Sequence, residues 1–269
     1  MNNIKIANET IKIISDGKYT VSEKTIALPN LDYKDALVYS PEKGKELLIS
    51  DISEKPNDNL CKISVVNEDS FQAARRFENP LVLNFANAHN PCGGFLLGAN
   101  AQEEALCRCS TLYASLKSDK AAEMYKYNNT HLSTVESNYM ILSKNVCVFR
   151  NEQCRLLEEP FTAAVITVPA PNRNGSALLV PKNKIAETML GRIRIMLRIA
   201  LKHGYKNIVL GAWGCGAFGN NPNDVSDYFK TVIINEKSGF YFDQICFAVY
   251  GKPNSKNIVS FQNTFKDYL

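Results

Sequence analysis

The chain contains no apolar run approaching the roughly 20 residues a membrane helix needs, and its opening stretch, MNNIKIANETIKIISDGKY, has no apolar signal core. The expected protein is therefore neither membrane-spanning nor exported, and the cytoplasm is its expected compartment. Internal repeats, low-complexity tracts and Gly/Ser linkers are also missing, which argues against solenoids and tethered modules. Only three histidines occur and they lie far apart. The eight cysteines, 61, 92, 107, 109, 147, 154, 215 and 246, are scattered rather than framed. Cys107 and Cys109 are the only close pair, so neither a zinc site nor a disulfide scaffold is expected. Hard oxygen ligands do not cluster either, so no metal and no cofactor is called for. A formal charge of +4 suits an anionic ligand but is too small to argue for a membrane surface or sequence-specific nucleic acid.

What is present is enough for a substantial core: 269 residues, 45% of them hydrophobic. The expectation is one domain, 1–269, with residues 1–60 as an N-terminal extension packed on it. That extension reads as a helix over 8–17 with a glycine stop, an alternating strand over 19–28 and an apolar stretch at 36–39. Strands follow at 61–66, 81–85, 139–142, 146–149, 163–168, 208–210 and 240–250. Between them lie helical segments at 71–77, 101–116, 121–127, 182–203 and 257–269. The alternation gives an α/β fold, a mixed sheet sandwiched between helices. In 182–203, Ile185, Met189, Ile193, Met196, Leu197 and Ala200 form a core stripe, with Gly204 as the stop. The segment NNTHLSTVESN reads as a polar surface loop, with His131 a solvated or packing histidine.

The most informative stretch is LVLNFANAHNPCGGFLLGANAQEEALCRCSTLY, residues 81 to 113. A buried strand enters a loop whose Gly93 and Gly94 permit close backbone approach by a ligand. A helix follows, with Ala105, Leu106, Cys109, Leu112, Tyr113 and Leu116 on one side. A glycine loop running into a helix N-terminus gathers unpaired N–H groups and the positive dipole end, which suits a phosphate. Glu103 and Glu104 diverge by about 100° around the helix, so they cannot flank one bond at the roughly 5 Å of a retaining glycosidase pair. One of them can do proton work. Structural roles are also open: Asn100 to Glu103 has capping-box spacing, and Glu104 can pair with Arg108 one turn on.

A second glycine loop, GAWGCGAFGNNP, carries Gly211, Gly214, Gly216 and Gly219 between a strand and a helix opened by Asn221 and Pro222. With Trp213 and Phe218 among them, it reads as a phosphate loop beside an aromatic wall. Pro169-Ala-Pro171-Asn172 forms a stiff rim after the 163–168 strand. The three special loops, after Phe85, Val168 and Leu210, leave strand carboxyl ends, where open α/β sheets place ligands. Glu68, Asp69 and Ser70 read first as a helix cap.

NPCGGFLLGANAQEEALCR resembles the signature of the microbial poly(ADP-ribose) glycohydrolase family, a branch of the macrodomain fold: three glycines, six to eight residues, then Gln-Glu-Glu. Here seven residues, Phe95 to Ala101, separate Gly94 from Gln102, Glu103 and Glu104. GAWGCGAFGNNP, the Pro169 rim and the N-terminal order resemble the same family. Cys92 departs from it, standing where the first glycine is usual; a positive φ there would strain a cysteine.

The resemblance implies hydrolysis of the ribose–ribose O-glycosidic bonds of poly(ADP-ribose), with ADP-ribose as product. Glu104 would be the general acid/base and Glu103 would orient the scissile ribose. Asn87 and Asn90 would hold the distal ribose, with Gln102 also at the substrate. Gly93, Gly94 and the loop of Gly214, Cys215, Gly216, Ala217, Phe218 and Gly219 would cradle the diphosphate, Phe218 packing on the ribose. Asp69 would take the adenine amino group. The alternatives are a hydrolase of mono(ADP-ribosyl) protein, a reader that binds ADP-ribose without cutting, and a cysteine nucleophile at Cys92 or Cys215 with His89 nearby.

Overall fold

The computed structural model describes residues 2–269. Helix α1 (Asn3–Asp16) is capped by the Asn2 side chain and ended by Gly17 at φ 65°. The alternating segment that follows is not one strand but a hairpin, β1 (Lys18–Val21) and β2 (Lys24–Ala27), because Ser22 and Glu23 both take positive φ and fold it back. Strand β3 (Ala36–Tyr39) leads to helix α2 (Pro41–Ile49), which the periodicity did not reveal. Next come β4 (Lys62–Val66), α3 (Ser70–Ala74) and β5 (Pro80–Ala86).

The helix expected over 101–116 is two helices, α4 (Gln102–Cys109) and α5 (Leu112–Leu116). Ser110 is extended, at φ −151°, and bridges Val148, while Thr111 exchanges hydrogen bonds with Cys147. Pairing with the next strand outweighs the helical period at those two residues. Helix α6 (Ala122–Thr130) follows. The two short strands expected after it are one, β6 (Met140–Arg150), irregular between Ser143 and Val146. Then β7 (Leu156–Pro169), α7 (Lys182–Lys202), β8 (Asn207–Leu210), α8 (Pro222–Lys230), β9 (Gln244–Ala248) and α9 (Lys256–Phe265) complete the chain.

Seven strands form one sheet in the order β3-β6-β7-β5-β8-β9-β4. From β7 to β4 every neighbouring pair is parallel, while β6 is antiparallel to both of its neighbours. Strand alternation divides the core. Leu81 and Leu83 of β5 face the α7, α8 and α9 side, and Val82 faces the α4, α5 and α6 side. By the same alternation Asn84, two residues beyond Val82, lies under α4, opposite Thr167 of β7. Strands buried on both faces explain why these segments read as near-continuous apolar runs.

Residues 131–138 are less loop-like than their composition. Arg192, absent from the apolar stripe expected for α7, is 0% exposed. It donates to Asn138 Oδ1 at 3.0 Å, Pro169 O at 2.9 Å, Val135 O at 2.5 Å and Glu136 O at 3.0 Å. Burial lowers its pKa to about 10, still charged at neutral pH. Replacing Arg192 by Met would strand those acceptors; the expected destabilisation is about 2–4 kcal/mol, read as a fall in denaturant midpoint. An unchanged midpoint would show that Arg192 is not what pins this segment.

Candidate active site

Strands β7, β5 and β8 are adjacent and parallel, so the loops after Phe85, Val168 and Leu210 emerge along one edge of the sheet. The loop from β5 to α4 is tightly wound. Gly93 N–H donates to Asn90 O, Phe95 N–H to Cys92 O, and Leu97 and Ala99 both donate to Gly94 O. Cys92 sits at φ 65° and is 1% exposed. The expectation of strain there holds, at a cost of about 1–2 kcal/mol for an L-residue.

Glu104 is the residue this loop is wrapped around. Its Oε1 accepts from Gly94 N–H at 2.9 Å and its Oε2 from Ala101 N–H at 3.1 Å. A Cβ on Gly93 would stand 2.4 Å from Glu104 Oε1, with the backbone at φ 53°. A side chain at that point would displace the Glu104 carboxylate, and the positive φ favours glycine as well. The helix cap thus falls one residue later than expected, at Ala101 with Glu104 closing it, rather than at Asn100 with Glu103. Arg108 does not pair with Glu104; it turns back to Ala99 O at 2.6 Å and Asn100 Oδ1 at 2.7 Å, so it buttresses the loop.

Glu103 points the other way, beneath the loop. It is 2% exposed, accepting from Asn84 Nδ2 at 3.1 Å and from Asn87 N–H at 2.8 Å. Asn84 also donates to Thr167 Oγ1, and its own Oδ1 has no partner. Burial pushes the Glu103 carboxyl up to about 8, against the opposing pull of the Asn87 and Asn84 hydrogen bonds, and the neighbouring Glu104 adds to the rise. Burial thus favours the protonated form of Glu103 far above the usual carboxylate range.

Among the remaining expected site residues, Asn87 Oδ1 is occupied by His89 N–H and Asn90 N–H, a local turn that leaves its amide NH2 available. Asn90 is exposed at the rim. Gln102 acts as scaffold: its Oε1 accepts from Phe85 N–H, and its Nε2 donates to Leu83 O and Ser70 Oγ. It serves β5 where pairing with β8 has ended, at Val82. The N–H groups of Gly93 and Gly94 are spent on Asn90 O and Glu104, so their observed work is holding the carboxylate.

The loop from β8 to α8 is the more open anion cradle. Gly214, Gly216, Ala217 and Phe218 have backbone N–H groups without an acceptor among the described residues. Gly214 and Gly219 take positive φ. Asn174 Nδ2 donates to Ala217 O, Arg173 N–H to Phe218 O and Asn220 Nδ2 to Pro171 O, which ties this loop to the one after β7. Phe218 is half-buried at the rim. Trp213 is not part of an aromatic wall: it is 0% exposed and donates from Nε1 to Val168 O. Cys215 is held as a thiol, its pKa pushed to about 12 by burial. Both ring nitrogens of His89 are engaged elsewhere, with Asn129 and Glu136. Neither cysteine has a partner for nucleophilic work.

At the far end of the edge, Asp69 caps α3 through Oδ1, which accepts from Phe71 and Gln72 N–H. Its Oδ2 is buried with no partner, and burial raises its pKa. Sequence reasoning passed over Tyr250. It follows β9, is 71% exposed, and its neighbour Gly251 exchanges two hydrogen bonds with Asn67 after β4.

The geometry defines a macrodomain-like α/β protein whose glycine loops gather along the strand ends, with a buried carboxylate held by one and an open amide cradle formed by its neighbour. Residues 7–151 match the family model described as microbial-type PARG, catalytic domain. Poly(ADP-ribose) glycohydrolase from Thermomonospora curvata is 35% identical over 98% of this chain and 99% of that one, with a TM-score of 0.92; another structure of it holds the inhibitor ADP-HPD. The Deinococcus radiodurans enzyme, in complex with ADP-ribose, is 34% identical over 91% of this chain and 100% of that one, with a TM-score of 0.83. No curated protein sequence matches at a significant level. The chain belongs to the microbial-type poly(ADP-ribose) glycohydrolase family.

Two outcomes follow from the site geometry. Gly93→Ala displaces the Glu104 carboxylate, and turnover is expected to fall about 100-fold, the usual effect of an ångström-scale misplacement; near-normal turnover would contradict the contact. For Glu103, the folded pKa lies above the ordinary 4.5. Its contribution to stability is therefore full below about pH 4.5 and is lost as pH rises towards 8. The Tm of Glu103→Gln relative to the unsubstituted chain should rise between pH 5 and pH 9. Parallel Tm curves would contradict a raised pKa at Glu103.

Proposed function

We propose that this chain hydrolyses the ribose–ribose O-glycosidic bonds of poly(ADP-ribose), releasing ADP-ribose, in the cytoplasm. The single observation that carries the reading is the setting of Glu104, held by two backbone N–H groups at the mouth of a glycine loop, in a chain of this family. The acid form of Glu104 delivers its proton to the leaving ribose oxygen as the C1–O bond breaks. The resulting carboxylate then takes a proton from the water that attacks the oxocarbenium-like carbon.

Glu103 orients the scissile ribose indirectly. It is sealed beneath the loop and holds Asn87 through its backbone, so Asn87 and the exposed Asn90 present the hydrogen bonds to the ribose. The diphosphate lies against the free N–H groups of Gly216, Ala217 and Phe218, with Phe218 on the adjoining ribose. Adenine occupies the far end, its amino group on the unpartnered Oδ2 of Asp69 and its face towards Tyr250. Residues 1–269 act as one unit in this reading, since β3 of the N-terminal region is a strand of the main sheet.

Glu104→Gln removes the proton; its NH2 must face either the Gly94 or the Ala101 N–H, so one of the two hydrogen bonds that hold the side chain is given up and the other is kept. Expected is a 10²- to 10⁴-fold loss of ADP-ribose release from purified polymer, with calorimetric affinity for ADP-ribose changed less than about threefold. Near-normal release by that variant would refute the role of Glu104. Binding without release by the unsubstituted chain would refute polymer cleavage and favour a reader or a hydrolase of mono(ADP-ribosyl) protein, which modified protein as substrate separates.

A further inference from the structure

Glu136 lies in a segment whose composition suggests only a polar surface loop, yet its side chain is 7% exposed. One carboxylate oxygen, Oε2, stands 2.9 Å from His89 Nε2, in the loop between β5 and α4. The other, Oε1, accepts from Ser176 Oγ at 2.7 Å, in the loop after β7. The orientation of the histidine is set independently: Asn129 Nδ2 donates to His89 O and its Oδ1 meets His89 Nδ1 at 3.0 Å. Both ring nitrogens therefore face acceptors, and Glu136 takes one of them.

The position is over-determined from behind as well. Glu136 has φ 61°, and its carbonyl is held by the buried Arg192. Two non-glycine residues in left-handed conformations, Cys92 within the catalytic loop and Glu136 against it, persist only where surrounding contacts hold them. We propose that Glu136 is a positioning residue, a strut that joins the loops after β5 and β7 and keeps the β5 loop at Asn87 and Asn90 in its binding shape before substrate arrives. This rests on the glycohydrolase reading only for the identity of the substrate.

A strut of this kind acts on preorganisation, so its loss is felt in binding. For Glu136→Ala the expected result is a rise of about tenfold in both KM for poly(ADP-ribose) and Kd for ADP-ribose, with kcat within threefold. That split is the reverse of the one expected for Glu104→Gln. Glu136→Gln retains an oxygen for His89 and an NH2 that the Ser176 hydroxyl accepts from, and should restore affinity to within threefold of normal. Ser176→Ala, which cuts one arm, should raise Kd about threefold. Amide hydrogen exchange across residues 87–94 should speed up in Glu136→Ala and not in Glu136→Gln.

The proposal is overturned if Glu136→Ala binds ADP-ribose normally with unchanged exchange, or if Glu136→Gln loses affinity as fully as Glu136→Ala. If Glu136→Ala does not fold, Glu136→Gln and Ser176→Ala decide, normal affinity in Ser176→Ala being the overturning result. Should the unsubstituted chain bind ADP-ribose but not cut polymer, the glycohydrolase reading fails while the exchange and Kd comparisons still decide the strut.

Discussion

The site depends on how one carboxylate is held. Glu104 begins a helix, and its two oxygens take N–H groups from either end of the loop that precedes that helix, Gly94 and Ala101. A carboxylate on a first turn is ordinarily a cap. Here the cap also closes a loop of glycines and a strained cysteine over the acid, so positioning the acid and terminating the helix are one act. The remainder follows from that closure. Gly93 must lack a side chain, Arg108 must turn back to the loop, and Gln102 must complete β5 underneath it.

Burial then separates the two glutamates that sequence places side by side. Glu103 is enclosed with Asn84 and Thr167, and burial raises its pKa, while Glu104 is held in the glycine loop after β5. Neighbouring helix positions point about 100° apart, which is why one acid can lock the loop from below while the other is held by the amides of Gly94 and Ala101. The division of labour comes from the helix period and from which strand lies beneath, without any specialised chemistry in either residue.

Much of this was legible in the sequence because it is local. The β5 strand, the glycine loop, the Gln-Glu-Glu helix start, the core stripe of α7 and the Asn221 cap all follow from neighbours within a few residues. What escaped is set by distant partners. Ser110 breaks the helix because β6 lies alongside, Trp213 is core because Val168 O is there to receive its N–H, and Gln102 is scaffold because β8 ends early. Arg192 and Glu136 read as an ordinary basic residue in a helix and an acid in a polar loop. Only the fold shows one fully buried and the other joined to both cleft loops. Tyr250 was passed over because nothing near it in sequence is unusual.

In the proposed reading Glu104 faces the scissile bond, with the amide cradle of residues 214–219 beside it and Asp69 at the far end. A crystal structure of the Glu104→Gln chain soaked with ADP-ribose tests it most directly. Expected are the distal ribose within hydrogen-bond reach of residue 104 and the diphosphate on the N–H groups of Gly216, Ala217 and Phe218. ADP-ribose bound in the reverse sense, or with its distal ribose away from residue 104, would contradict it.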